Sequence, residues 1–213
     1  MARILITGST RGIGAALLAE ATAMGHDPVG TTRDGRGGTV ALTLDDPDTV
    51  AAQLDGIGPL DILINNAGVI TPERQSPLDM DFGGFAHTLT VNTITPLAVA
   101  QAVLPQLRAS AAPGSVTISS QMAYMRYRKA DRIAYRASKS AVNKVMQGLA
   151  TALEPEGIPV ALVDPGWVRT DMGGAEADLG AHEVARGILA VATGLTLEDT
   201  GKFFQHTGAE RPF

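Results

Sequence analysis

No cysteine occurs among the 213 residues. The chain therefore forms no disulfide, carries no thiolate nucleophile and offers no cysteine to a metal; this usage suits a reducing cytoplasm, the expected location. Four histidines (His26, His87, His182 and His206) are scattered without ligand spacing, so no metal site is expected. Aromatic residues are scarce at 4%, which argues against a bulky aromatic core. Basic tracts are missing from a chain of net charge −5, which argues against nucleic-acid or membrane-surface binding. No apolar run reaches bilayer-spanning length. The opening MARILITG lacks the apolar core of a secretion signal.

What the chain does have is glycine, 24 residues of it, together with 45% hydrophobic and 18% charged residues. That is the composition of a soluble globular protein rich in tight turns, and the length suits one domain spanning 1–213. Short aliphatic runs alternate with helix-period segments. The runs are Arg3–Thr7, Asp27–Thr32, Thr39–Leu44, Asp61–Gly68, Ser115–Ser120, Ile158–Gly166 and Gly201–His206. They are apolar continuously, not alternately, as strands covered on both faces are. Helices are predicted over Gly12–Met24, Pro47–Leu54, Phe82–Arg108, Tyr135–Glu154 and Ala181–Ala192, with Gly25 and Gly157 as stops. The rhythm implies an α/β fold: a Rossmann-like, doubly wound, mostly parallel sheet of seven strands with helices on both faces and ligands at the carboxyl ends of its strands. Loops are expected at Thr71–Gly84, Met122–Ile133 and Asp171–Gly180.

The stretch TGSTRGIG, Thr7–Gly14, follows the first strand and opens the first helix. Glycine at Gly8, Gly12 and Gly14 permits a tight turn and close backbone approach to a pyrophosphate. The helix N-terminus adds free N–H groups and partial positive charge. Downstream, Tyr135 and Lys139 lie one helical turn apart in YRASK. A free phenol titrates at about 10, poorly matched to proton transfer at neutrality, and a neighbouring ammonium favours the phenolate. Taken alone, the pair reads as a surface contact worth a few tenths of a kcal/mol.

In order along the chain, TGSTRGIG, NNAG (Asn65–Gly68), Asn92, the serines of TISS, YRASK and PGWVRT (Pro165–Thr170) resemble the short-chain dehydrogenase/reductase family over nearly the whole length. The resemblance implies hydride transfer between a nicotinamide cofactor and a small-molecule carbonyl or alcohol substrate. Cofactor contacts would come from Gly8, Ser9, Arg11, Gly12, Ile13 and Gly14; from Asn66, Ala67 and Gly68 beside the adenosine; and from Tyr135 and Lys139 at the ribose. Pro165, Gly166, the Val168 backbone and the Thr170 hydroxyl would grip the carboxamide. Tyr135 would be the acid or base, Lys139 its pKa-lowering partner, Ser120 (with Ser119 as competitor) the hydroxyl on the substrate oxygen, and Asn92 a helix-interrupting residue holding a water in a proton relay.

The second strand ends in Thr32 and Arg33, where NAD enzymes of this kind carry an acid. A 2′-phosphate needs a cation instead. Arg33, with Arg11 from the other side, favours NADP(H), while NAD(H) stays open because Asp34 adjoins Arg33. The family's adenine-contacting acid falls at Thr43, and Asp45 is an offset substitute. The short stretch near 171–181 reads as an abbreviated substrate lid, which with YRASKSAVN, PGWVRTDMGG and GKFFQHTG resembles the C-factor/sniffer-like branch of the family. That branch includes carbonyl reductases and proteins discussed as signalling factors, so a dinucleotide-binding regulatory protein with little turnover is the rival reading. Trp167 reads equally as a pocket wall and as a packed loop residue; Met122–Arg132 reads as pocket or solvated loop. Family members often pair their two long helices, so a homodimer or homotetramer through Phe82–Arg108 and Tyr135–Glu154 is expected.

Overall fold

In the computed structural model, which describes residues 1–213, the aliphatic runs become strands whose successive side chains enter two different cores. The elements follow as β1 (Arg3–Ile6), α1 (Gly12–Ala23), β2 (Asp27–Thr32), β3 (Val40–Ala41), α2 (Val50–Gln53), β4 (Ile62–Asn65), β5 (Gln75–Ser76), β6 (Asp79–Met80) and α3 (Phe82–Leu89). Then come α4 (Thr95–Ala102), α5 (Leu104–Ala109), β7 (Gly114–Ile118), α6 (Ile133–Leu153), β8 (Val160–Asp164), α7 (Ala181–Gly194), β9 (Phe203–Gln205) and β10 (Glu210–Arg211).

The main sheet runs β10-β9-β8-β7-β4-β1-β2-β3. Every pairing in it is parallel except β9 with β10. It therefore has eight strands, not seven: Glu210–Arg211 folds back antiparallel on Phe203–Phe204. Two polar residues carry no apolar signal, and backbone pairing alone makes them a strand.

On one face, Leu5, Leu63 and Leu162 pack with Val99, Val103, Val142 and Met146 of the middle helices. On the other, Ile4, Ile6, Ile62, Ile64, Ala161 and Val163 pack with Leu17 of α1 and Ile188 and Leu189 of α7. At about 25 cal/mol per Å² of apolar surface, each fully buried aliphatic side chain contributes about 1.5–3 kcal/mol. No helix is long and apolar enough to cross a membrane.

Two predicted helices are broken in the fold. Pro47–Leu54 is a 3₁₀ turn followed by the single α-turn of α2, the Asp46 carboxylate accepting from Asp48 N. Phe82–Arg108 divides into α3, a π-helical turn over Thr90–Ile94, α4 and, after Val103, α5, which opens around Pro105. A proline ring within the helix excludes the preceding turn's regular bond. The predicted loop Thr71–Gly84 contains the β5–β6 hairpin and the start of α3. Gly25 and Gly157 do end helices, at φ of 80° and 75°. In each case the following N–H reaches back to the carbonyl five residues earlier (His26 to Ala21, Ile158 to Leu153).

Strand order reverses between β1 and β4, whose carboxyl ends open into a crevice, as expected for this topology. One groove begins there and runs across the sheet edge.

Candidate active site

The loop after β1 is wired to its neighbours before any ligand is considered. Thr7 Oγ1 accepts from Asn66 N (3.0 Å) and Ala67 N (3.1 Å), while Asn66 Nδ2 donates to Thr7 O and Gly8 O. Gly14 has no room for a side chain, since a Cβ there would lie 2.1 Å from Gly8 O. Its glycine therefore lets α1 start against the turn. No side chain caps the first turn of α1, so the N–H groups of Gly12, Ile13 and Gly14 are left for an anion.

Gly8, Arg11, Gly12, Ile13, Gly14, Arg33, Asn66, Ala67, Gly68, Tyr135, Lys139, Pro165 and Thr170 all line the groove. Ser9, Asn92, Ser120, Gly166 and Val168 do not. Ser9 is corrected from a phosphate contact to a structural pin: it is buried, its N–H donates to Thr31 O and its hydroxyl to the same carbonyl at 3.0 Å. Val168 is buried and forms a parallel bridge with Leu179, which ties the lid segment to the turn. Gly166 sits at φ 77°, and a Cβ there would meet Leu179.

Asn92 occupies the π-helical turn, as a helix interruption. Its side-chain oxygen accepts from Val69 N (2.9 Å), and its Nδ2 donates to Val69 O (2.9 Å) and Ser138 Oγ (3.0 Å). The amide is thus spent on fixing the loop after NNAG against α6. A Cβ added to Gly68 would lie 3.2 Å from Asn92 Oδ1 and 3.6 Å from Lys139 Nζ, so the glycine keeps open the space between them.

Tyr135 and Lys139 are both buried, at 8% and 4% exposure. Their pairing is not a surface contact. The Lys139 ammonium donates to Ile118 O at 2.7 Å and sits 5.7 Å from the Tyr135 ring centroid. Burial pushes the Tyr135 phenol up to about 12; the Ser120 hydroxyl beside it and Arg132 oppose the rise, while the Asp164 carboxylate adds to it. Burial alone brings Lys139 down to about 8. Desolvation is the largest cause of both shifts.

The two serines separate clearly. Ser119 is spent on packing, its hydroxyl 2.5 Å from Asn143 Oδ1, which accepts. Ser120 leads the turn that follows β7, its Oγ accepting from Met122 N at 3.1 Å, and it is the serine next to the phenol. The backbone N–H of Tyr135 is fixed by buried Gln75, whose Oε1 accepts it at 3.2 Å. Nothing in the sequence singled out Gln75.

At the β2 end of the groove, Thr32 closes the strand and is held by Thr39 and Asp34, leaving Arg33 exposed at the rim. Arg11 pairs with Asp171, just past the Pro165–Thr170 turn, at 2.6 Å. Asp45, not Thr43, lines the groove, with His87 beside it. Trp167 stands 45% exposed and donates to Gly173 O, bracing the lid rather than the groove. Arg126 and Arg128 are exposed. No cluster of histidine and carboxylate side chains is placed to hold a metal.

Residues 38–178 match the family model described as short chain dehydrogenase. The chain is 41% identical to the C-signal of Myxococcus xanthus, over 73% of this chain and 94% of that protein. It is 31% identical to carbonyl reductase (NADPH) 2 of Sus scrofa, over 80% and 73% respectively. Among solved structures, the carbonyl reductase Sniffer of D. melanogaster superposes with a TM-score of 0.91 over 100% of both chains at 26% identity. An NADPH-bound carbonyl reductase from chicken fatty liver gives 0.89 at 27% identity, over 100% and 99%.

Proposed function

The chain belongs to the short-chain dehydrogenase family, and from that premise we propose that it is an NADP(H)-dependent oxidoreductase interconverting a carbonyl compound and its alcohol by a serine–tyrosine–lysine mechanism. The observation that carries this reading is convergence: a glycine loop with an uncapped helix start, a buried phenol and a buried ammonium line one groove, and the Ser120 hydroxyl stands beside the phenol. The cradle fits a dinucleotide phosphate, because no side chain caps the first turn of α1 and its N–H groups are left for an anion. Arg11 and Arg33 flank the position of a 2′-phosphate, and the NADPH-bound neighbour supports that preference.

When bound, NADP(H) supplies or accepts the hydride. Tyr135 passes a proton to or from the substrate oxygen, and its raised pKa keeps it a proton donor at neutrality. Ser120 donates to the same oxygen as charge develops there. Lys139 orients the ribose hydroxyls, and Asn92 holds the path by which protons reach it. The chain is one domain with a short lid near 171–181, where Asp171 and Met172 border the groove, and it pairs as a homodimer through the α3–α5 and α6 helices.

A second reading, a dinucleotide-binding regulator with little turnover, draws on the relative named C-signal. Retention of phenol, ammonium and hydroxyl together weighs against it, since binding alone needs only the ammonium. NADPH oxidation against a panel of aldehydes, ketones and quinones decides: turnover supports the enzyme, and cofactor binding with no turnover on any of them supports the regulator.

A further inference from the structure

Asp164 ends the otherwise apolar strand β8 and is 2% exposed. Its Oδ1 accepts from Gln121 N and from Gly166 N, both at 3.0 Å. The first donor follows Ser120; the second belongs to the Pro165–Gly166 turn. One carboxylate oxygen therefore holds two walls of the candidate site in register. Its other oxygen, Oδ2, accepts from Arg211 Nη1 on β10.

Arg211 comes from the short antiparallel return at the sheet edge and lies over the Phe203 ring, 5.9 Å from its centroid. It is 17% exposed on its side chain, so the pair is largely withdrawn from water. Breaking such a pair from one side leaves an uncompensated buried charge. The carboxylate holds the N–H of Gln121, the residue next to Ser120, whose hydroxyl stands beside the Tyr135 phenol, so its charge lies behind that contact and disfavours phenolate. Two roles thus meet in Asp164: geometry through Oδ1, charge through Oδ2.

We propose that Asp164 is a positioning residue of the candidate site and that Arg211, delivered by the β9–β10 hairpin, balances its charge so that the docked hairpin shields the Tyr135 phenol from an uncompensated carboxylate. This deepens the proposed oxidoreductase mechanism and rests on it. The charged and titratable groups around the phenol and the carboxylate are Lys139 and Arg132 on and before α6, Arg211 from β10, and His206 after β9. The N–H of His206 donates to Asp164 O at 2.9 Å.

The chain has three tyrosines, Tyr124, Tyr127 and Tyr135. Tyr124→Phe with Tyr127→Phe therefore makes ultraviolet phenolate absorbance a direct reading of Tyr135 in the full-length chain. At a fixed alkaline pH where circular dichroism shows the fold intact, Asp164→Asn raises the ionised fraction and Arg211→Met lowers it, each by roughly threefold for one charge in a partly screened interior. The two together return it toward the parent, and Arg211→Lys leaves it near the parent. Loss of a purely structural contact would move both single variants the same way. A shift in the same direction, or none, overturns the proposal. Should Asp164→Asn fail to fold, Arg211→Met against Arg211→Lys decides alone, and equal ionised fractions overturn it. The reading needs no turnover, so inactivity of the parent on every carbonyl compound refutes the proposed function separately.

Discussion

Tyr135 and Lys139 share one face of α6, yet the lysine ammonium is held by Ile118 O at 2.7 Å, 5.7 Å from the tyrosine ring centroid. The pair is set by burial: the phenol stays protonated far above neutrality and the ammonium is weakened toward it. Tyr135→Phe removes only the hydroxyl and leaves the residue's backbone N–H on Gln75 Oε1. Turnover should fall by about 10²-fold or more, the usual range for a lost general acid, with NADPH affinity unchanged by fluorescence titration. Retained turnover would discard the mechanism.

Ser120 and Ser119 should part company in the same way. Ser120→Ala lowers kcat by about 10²-fold, as loss of a donor to a developing oxyanion does, and costs in stability only its cap on Met122 N, about 1 kcal/mol. Ser119→Ala breaks the 2.5 Å contact to buried Asn143, so it lowers the Tm while sparing most of the rate. The reverse pattern would reassign the catalytic hydroxyl to Ser119.

Lys139 sits at about 8, below its ordinary 10.5. Below pH 8 the ammonium is charged in both folded and unfolded chains, so the cost of burying it is fully present. Between 8 and 10.5 the folded chain releases the proton and the unfolded chain keeps it, so stability rises with pH. Lys139→Met escapes this cost. Its Tm relative to the parent should therefore decline as pH climbs through that window, measured by differential scanning calorimetry. A flat difference would mean the lysine is not desolvated.

Arg11→Ala and Arg33→Ala should each weaken NADPH binding by about tenfold, the scale of a charge-assisted hydrogen bond, and leave NADH binding nearly unchanged. Asp171→Asn frees Arg11 from its ion pair, in which both side chains are more than 70% exposed. Exposed pairs are weak, so the gain in NADPH affinity is no more than about fivefold. Equal effects on both cofactors would remove these arginines from the phosphate.

Two glycines on helices should respond oppositely to alanine. Gly14→Ala places a Cβ 2.1 Å from Gly8 O, a backbone atom that cannot yield, and should cost about 2–3 kcal/mol or prevent folding. Gly148, inside α6, has nothing within 4 Å. Gly148→Ala should stabilise by about 0.5–1 kcal/mol from helix propensity. Urea denaturation measures both.

Seven of the eight strands of the main sheet were legible because their runs are apolar continuously, a pattern that leaves few alternatives. The glycine loop was legible because Gly14 has a local reason to be glycine. The helix interruption at Asn92 was expected from the family resemblance alone; its π-helical form was not legible, since it is held by Asn92 reaching Val69 and Ser138, contacts 23 and 46 residues away. Ser9 was read as a ligand contact because its neighbours are; the hydroxyl of a buried residue goes to Thr31, which only the fold brings near. Asp164 left one signal, an acid closing the fully buried run VALVD, but its partner Arg211 is supplied by a strand with no sequence signature.

The alternation along the strands divides the protein into two compartments that meet only through backbone. Leu5 and Ile6 are chain neighbours, yet they belong to different hydrophobic clusters. A void opened by Leu5→Ala is therefore out of reach of any enlargement at Ile6, and only substitutions on the Val99–Met146 side can refill it. Damage and repair are confined to one side of the sheet, so the energies of changes on opposite sides should simply add.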